Sequence, residues 1–291
     1  MTFKQSQFIK SLIQCIGLTS LILMTFIYQQ AHADTSQQSN QNIAYDLNNP
    51  LSDLGFTEIQ WNHNSGLGQT SNQTGSSQSM LIAPKLKFDV SEDWKTISRV
   101  YINASKLQNV NGVNNAGIGP TQIETIFTPK SNSQTLMGVG PYVQIPGGQS
   151  GEFGSAQYGG GIRAVLVSQP KPWTFGLFAF QSWSLGGPKG AGTAASPNTG
   201  TTNSISVWPT IAYVTPNAYI LFLDSESTYN YDARRGYSPI NAAVGKVTQF
   251  GTTTVNFILG IRYNVGGYPS TLQYPGTPQG WGPRAQLIFT M

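Results

Sequence analysis

The sequence predicts an all-β fold, an antiparallel transmembrane β-barrel of about twelve strands that follows a cleaved signal peptide. Three observations predict it. An N-terminal apolar stretch ends in a signal-peptidase pattern, and it is followed by segments of ten or more residues in which apolar and polar side chains alternate. The connections between these segments alternate between short and long. Strands of this length suit a tilted membrane crossing. Outer-membrane barrels have short periplasmic turns and longer outer loops.

The first 33 residues have the features of a signal peptide. Lys4 and Lys10 precede an apolar stretch over residues 11–28, and Ala31-His32-Ala33 follows it. This small-x-small ending predicts cleavage before Asp34. A single transmembrane anchor is the alternative, because the stretch is nearly long enough to span a bilayer, but its polar residues and the Ala-x-Ala ending disfavour it.

The composition of the chain excludes several classes of protein. Only 10% of the residues are charged and the net charge is +4, with no basic block of the kind that binds nucleic acid. The one cysteine, Cys15, lies within the predicted signal peptide. An exported chain without a disulfide framework must be held together by packing or by a closed sheet.

The signal-peptide pattern and the first alternating segment divide the chain into a signal peptide (1–33), a polar N-terminal segment (34–53) and a barrel (54–291).

Period-2 alternation predicts twelve strands and almost no helix. They cover residues 54–63, 79–90, 93–104, 117–128, 134–145, 156–168, 172–185, 203–214, 217–230, 237–249, 253–265 and 280–291. The predicted long connections are 64–78, 105–116, 146–155, 186–202, 231–236 and 266–279. A secreted soluble sandwich is the alternative, but its strands average about five or six residues, and it does not require short and long connections to alternate.

The alternation also assigns charged side chains to the inside of the barrel. If the apolar faces meet lipid, the inward set is Lys85, Lys87, Asp89, Arg262 and Arg284, together with Glu58, Arg163, Asp224 and Glu226. A lipid-facing Lys or Arg would cost ~2–4 kcal/mol at the bilayer midplane. Arg262 and Arg284 fall on neighbouring strands, and Glu58 is their expected counter-charge. The sequence leaves open whether these residues form a structural ion-pair network or a selectivity filter.

Aromatic residues near the predicted strand ends fit an interfacial girdle. They are Trp61, Trp94, Trp173, Tyr213, Tyr219, Tyr229, Tyr263 and Trp281. A ring that carries a polar group suits the headgroup zone of a bilayer. Packing inside a sandwich would also place aromatic residues on strands, so the girdle alone does not decide the fold.

Several Gly- and aromatic-rich strand ends carry a resemblance to a known family. The matching runs are Gly117–Pro120 with Ile126–Lys130, Met137–Pro146, Tyr158–Gly161 with Ala164–Val167, Phe180–Ser184, Ala243–Lys246 and Gly260–Val265. Over roughly residues 54–291, the chain resembles the bacterial outer-membrane barrels often labelled "neuromedin U", which are related to the proposed transporters of the MetA phenol-degradation pathway. The resemblance implies an outer-membrane barrel without naming its substrate, and it favours hydrophobic or aromatic compounds as the solute.

Residues for catalysis or metal binding are scarce in the predicted mature chain. His63 is its one histidine, and the neighbouring Asn62, Asn64 and Ser65 leave a lipid-hydrolase site open as a third hypothesis. Side chains with the spacing of a metal site are missing from the sequence, and Gly159-Gly160-Gly161 is not followed by a helix, so it is no phosphate loop. We expect no enzyme activity, no cofactor, no metal and no catalytic residue.

These observations give an ordered set of functional hypotheses. The first is a Gram-negative outer-membrane channel for passive passage of small molecules, since twelve strands lie between filled eight-stranded barrels and wide sixteen-stranded porins. The second is a non-conducting surface barrel with an adhesive or structural role. Expected partners are outer-membrane lipid and lipopolysaccharide, the barrel-assembly machinery and a small solute, but not nucleic acid.

Overall fold

The computed structural model describes residues 40–68, 74–147, 153, 157–186, 203–232, 234–250, 253–267 and 277–291. The predicted signal peptide and most of the predicted loop 186–202 lie outside them. One helix, α1 (Asn40–Leu47), precedes the strands. The strand segments are β1 (Phe56–Leu67), β2 (Gly75–Asp89), β3 (Trp94–Val110), β4 (Val113–Ile118), β5 (Thr121–Pro129), β6 (Thr135–Ile145), β7 (Tyr158–Ser168), β8 (Trp173–Gly186), β9 (Asn203–Val214), β10 (Tyr219–Ser225), β11 (Ser227–Asn230), β12 (Arg235–Tyr237), β13 (Ile240–Phe250), β14 (Thr253–Asn264) and β15 (Gly280–Thr290).

These fifteen segments form a closed antiparallel barrel of twelve strands. Three barrel strands are each built from two segments, β4 with β5, β10 with β11 and β12 with β13, so that fifteen segments give twelve crossings. Pairing runs between neighbours in sequence, and β1 closes the sheet on β15 from Phe56↔Thr290 to Asn62↔Arg284. Closure gives every strand two hydrogen-bonded neighbours and leaves no open edge. The predicted antiparallel barrel of about twelve strands is confirmed, whereas the signal peptide stays a prediction.

Three predicted long loops are wrong. Of the predicted loop 64–78, residues 64–67 belong to β1 and residues 75–78 to β2. Residues 105–116 belong mostly to β3 and β4, which continue as a hairpin around Asn111 and Gly112. Both turn residues have positive φ angles, 54° and 78°, as a two-residue Asn-Gly turn between strands requires. Likewise, β12 begins at Arg235 inside the predicted loop 231–236. The asymmetry between the two ends of the barrel is therefore weaker than the sequence suggested.

The two ends of the barrel are named here by their connections. The short-turn end contains the turns at residues 90–93, 130–134, 169–172 and 215–218, the start of β1 and the end of β15. The opposite end is the long-loop end. In outer-membrane barrels, the short turns and the chain termini face the periplasm.

The outward face carries apolar side chains with an aromatic belt near each end. Trp94, Trp173, Tyr213 and Tyr219 lie near the short-turn end, and Tyr229, Tyr263 and Trp281 lie near the long-loop end, whereas Trp61 lies in the middle of β1. Rings in each belt touch, as in the pairs Trp173–Tyr213 and Tyr263–Trp281, whose centroids are 4.9 and 4.7 Å apart. Two such belts are typical of membrane barrels.

Helix α1 was not anticipated by the alternation pattern. Its Ile43, Ala44 and Tyr45 are buried among inward side chains of β9, β10 and β13 at the short-turn end. The helix comprises eight residues, too few to fix itself in water, so packing against the barrel must stabilise it. Among the described residues, no helix is long and apolar enough to cross a membrane.

Candidate functional site

The inside of the barrel is the candidate functional site, and it has two regions. On β5, β7, β14 and β15, the inward charged residue lies closer to the long-loop end than the inward apolar residues do; β7 shows this with Arg163 followed by Val165 and Val167. The charged region, called here the charged network, consists of Glu58, Arg99, Glu124, Arg163, Glu226, Arg262 and Arg284. The apolar region surrounds the N-terminal segment, residues 40–55.

Glu226 is the centre of one half of the charged network. Its two carboxylate oxygens accept hydrogen bonds from Arg262 Nη2 at 2.6 Å and from Arg284 Nη2 at 2.7 Å. Arg262 Nε also donates to Asn241 Oδ1, and Arg284 Nε donates to Asn62 Oδ1, each at 2.8 Å. Glu226 lies between β10 and β11, and the break in the strand there lets its side chain reach two strands away to β14 and three to β15.

The expected pairing of Glu58 with Arg262 and Arg284 is wrong. Glu58 accepts a hydrogen bond from Arg99 Nη2 at 2.7 Å instead, and its other oxygen accepts one from Gln286. The prediction failed because it considered only adjacent strands, whereas the long side chains of Glu58 on β1 and Arg99 on β3 meet over the intervening β2. Arg99 was not among the predicted site residues.

The other half of the network surrounds Arg163, which is 3% exposed. Arg163 Nη1 donates to Glu124 Oε2 at 2.5 Å, and the rings of Phe180, Tyr142 and Tyr101 lie 4.6, 4.8 and 5.3 Å from its central carbon. Cation–π contacts and an ion pair with Glu124 therefore stabilise the buried positive charge of the Arg163 guanidinium.

Small residues make room for these rings. A Cβ atom at Gly161 would lie 2.8 Å from Cε1 of Tyr142 and 2.0 Å from the carbonyl oxygen of Gln181. The Gly-rich run at 159–161 thus lets neighbouring strands and the Tyr142 ring approach closely.

The sequence analysis did not identify several residues that face inward, although the alternation pattern contained a sign of some of them. Trp208 and Ile258 interrupt otherwise regular alternation, and both face inward: the Trp208 ring meets Phe180 at 4.7 Å, and Ile258 packs with Phe56 and Ile288. An apolar residue on the polar face of a barrel strand indicates an inner apolar contact. Arg99, Tyr101 and Glu124 carried no comparable signal.

Three of the predicted lumen residues lie at the short-turn end, outside the charged network. Lys85 is fully buried, and its Nζ donates to Ser52 Oγ at 2.9 Å and to the Asn49 carbonyl oxygen at 3.3 Å. Lys87 pairs with Asp89 at 3.0 Å at the rim, where Asp89 also meets Lys130. Asp224, the remaining acidic candidate, accepts a hydrogen bond from Asn241 at 2.5 Å beside Glu226.

The N-terminal segment occupies the inside of the short-turn end. Leu51 is buried against Ile97 on β3, Ile126 on β5, and Val165 and Val167 on β7. Asn49 Nδ2 donates to Gln169 Oε1 at 2.9 Å, and Gln169 Nε2 donates to the Tyr45 carbonyl oxygen at 2.9 Å. Burial, with the nearby Tyr213, raises the pKa of the Tyr45 phenol above its ordinary value. The segment is therefore an integral part of the lumen.

His63 lies apart from the lumen network. It shares the outward side of β1 with Trp61, and the two rings stack with centroids 6.3 Å apart. The adjacent Asn62 and Asn64 face inward and are buried. Within the described ranges, no group of three or more His, Cys, Asp or Glu side chains is placed to hold a metal ion.

Comparisons with known proteins identify the architecture. No family model matches the sequence, and no curated protein matches it. The fold is similar to that of a COG4313 outer membrane channel from Pseudomonas putida F1, with a TM-score of 0.61 and 9% identity over 82% of this chain and 96% of that one. The chain folds as an outer-membrane β-barrel.

More distant likenesses also involve outer-membrane barrels. The translocator domain of the autotransporter NalP from Neisseria meningitidis has 12% identity over 97% of both chains and a TM-score of 0.42. A Pseudomonas aeruginosa FadL homologue has 8% identity over 83% of this chain and 90% of that one, with a TM-score of 0.36. At such identities the likeness concerns the fold alone, and the "neuromedin U" resemblance stays a prediction.

Proposed function

We propose that the protein is an outer-membrane channel for passive passage of small molecules and is not an enzyme. The hydrophilic part of the inner wall carries this proposal: the seven side chains of the charged network face the inside of a barrel whose outside is apolar. Arg99 Nε, Arg163 Nε, Trp208 Nε1, Asn64 Oδ1 and Asn256 Oδ1 are buried without a protein partner among the described residues. Buried polar atoms of this kind are normally satisfied by water, which supports a hydrated lumen.

The inner aromatic side chains support a preference for small solutes with aromatic or hydrophobic character. Phe180, Trp208 and Tyr142 face inward beside Arg163. Binding sites for small molecules combine apolar surfaces with a few polar groups that orient the ligand. The resemblance to barrels associated with phenol degradation points in the same direction.

The proposed setting is the outer membrane of a Gram-negative cell, reached after cleavage of the signal peptide at residue 33. The proposed partners are the barrel-assembly machinery during insertion, then outer-membrane lipid and lipopolysaccharide around the two aromatic belts. His63 faces outward whereas the neighbouring Asn62 and Asn64 face inward, so the lipid-hydrolase hypothesis has little support.

A non-conducting surface barrel is the second candidate, and the burial inside the lumen favours it. Arg163, Glu124 and Arg284 are at most 5% exposed, and the N-terminal segment occupies the short-turn end. A lumen packed to this degree would block solutes unless part of it moved.

Conductance of the purified mature chain in a planar bilayer tests the proposal. We expect stepwise currents, and we expect the double variant Arg262→Gln/Arg284→Gln to shift the ion preference towards cations, because two inner positive charges are lost while Glu226 stays. The control is Arg235→Gln, on the short β12 segment near the long-loop end. Silence of the folded wild-type barrel would contradict the channel and favour the second candidate.

A further inference from the structure

We propose that the N-terminal segment is a reversible acidic plug, and that its release exposes a lysine-lined vestibule that favours small anions. This inference rests on the proposed channel function. It names how that channel is gated and which charge it prefers when open.

The seat of the plug is an apolar patch inside the short-turn end. Inward Ala212, Val214, Ile220 and Val247 pack on helix α1, while Leu51 fills a second site formed by β3, β5, β6 and β7. Leu47 reaches a third cluster, Phe56 with Ile258 and Ile288. An apolar wall in a water-filled lumen would be unfavourable, so the wall requires this occupant in the closed state.

The plug and its seat have complementary charge. Residues 40–55 contain Asp46 and Asp53 and no Lys or Arg. The wall opposite contributes Lys85, Lys87 and Lys95, and Asp53 forms ion pairs with Lys95 and, at 3.8 Å, with Lys87. The segment therefore brings negative charge to a positive ring.

Two features of the closed state make release feasible. Lys85 is fully buried, and its Nζ contacts the neutral Ser52 hydroxyl, the Asn49 carbonyl and, at 5.1 Å, the face of the Phe56 ring, which offset only part of the cost of removing a charge from water. Rehydration of Lys85 would therefore offset part of the cost of exposing the apolar wall to water. Moreover, the segment precedes β1, so it can leave the lumen without breaking a pair of strands.

Release would change the electrostatics of the lumen entrance. Asp46 and Asp53 would depart, and the ammonium groups of Lys85, Lys87 and Lys95 would line the opening, with Asp89 as the nearest wall carboxylate. A ring of positive charge raises the local concentration of anions and favours their passage.

A disulfide lock tests both parts in the full mature chain, which has no cysteine of its own after the predicted cleavage. Ala44→Cys on helix α1 is combined in turn with Ala212→Cys and with Val214→Cys on β9, and gel mobility identifies the pair that is oxidised. The oxidised barrel should lose stepwise current, and a reductant should restore it. Under a KCl gradient, the reversal potential of the reduced channel should indicate preference for chloride, and Lys85→Gln/Lys95→Gln in that background should reduce this preference.

The outcomes separate the plug from the channel. Equal current before and after reduction, with Ala44→Cys alone as the control, would overturn the plug but not the channel. Silence in both states, from protein that still shows the heat-modifiable mobility of a folded barrel, would overturn the channel and the plug with it. Current that is restored on reduction but prefers potassium would overturn the lysine vestibule.

Discussion

The short-turn end and the charged network differ in how the barrel satisfies its inner surface. In the network, strands provide both halves of each interaction, as when Glu226 from β10–β11 binds Arg262 and Arg284. At the short-turn end the wall is apolar or carries lysines, and the N-terminal segment supplies the complementary groups. The first region is complete within the sheet, whereas the second is completed by a part of the chain outside it.

This difference separates stability from gating. A perturbation of the charged network acts on groups that join strands two or three apart in the barrel wall, so it should destabilise the barrel itself. A perturbation of the N-terminal segment should loosen the segment while the sheet keeps its hydrogen bonds. The predictions below test that division, beginning with the closure on which both regions depend.

Deletion of residues 281–291 should have the largest effect, because it removes β15 and with it closure. β1 and β14 would then present unpaired backbone groups to lipid, each costing several kcal/mol. We expect aggregated or degraded protein in cell fractionation. Recovery of folded, heat-modifiable material in the outer membrane would contradict the closure argument.

Glu226→Gln should destabilise the barrel by about 3 kcal/mol, the lower end of the range for breaking a buried pair, because Glu226 is 30% exposed. Arg262 and Arg284 would keep their positive charges with a neutral amide between them. Urea unfolding in lipid vesicles, followed by tryptophan fluorescence, measures the change. An unfolding midpoint equal to that of the wild type would show that the ion pairs of Glu226 do not contribute to the stability of the barrel.

Leu51→Ala should loosen the N-terminal segment with little change in barrel stability. Removal of a buried Leu side chain costs about 2–5 kcal/mol, and here the loss falls on the contact between segment and wall. Chymotrypsin should then cleave faster next to Tyr45 and Leu47. Leu223→Ala, on the outward face, is the matched control. A fall in the barrel's unfolding midpoint without faster cleavage would contradict the proposed division.

The predictability of the two regions from sequence also differs. Strand number and closure followed from alternation, because a residue's face depends only on the parity of its position. Residues 40–55 carried no such signal, since their structure depends on the wall that receives them. Ile258 interrupts the alternation of β14, and it belongs to the apolar cluster on which Leu47 of the segment packs. This irregularity was a sequence sign of that contact. Pairing in the charged network was unpredictable for another reason: long inward side chains pair with strands two or three away rather than with adjacent strands, as Glu58 does with Arg99.

The smallest effect is expected at the rim of the short-turn end, where ion pairs face solvent. Lys130 meets Asp89 at 2.9 Å, but the two side chains are 33% and 52% exposed. Water and salt screen such pairs, so Lys130→Gln should lower the stability of the barrel only slightly. The same urea titration at low and high salt separates this pair from Glu226: the effect of Lys130→Gln should vanish at high salt, while that of Glu226→Gln should persist because the network is shielded inside the barrel. An equal response of both variants to salt would mean that the charged network is as open to water as the rim, and the contrast between the two regions would then depend on the apolar seat of the N-terminal segment alone.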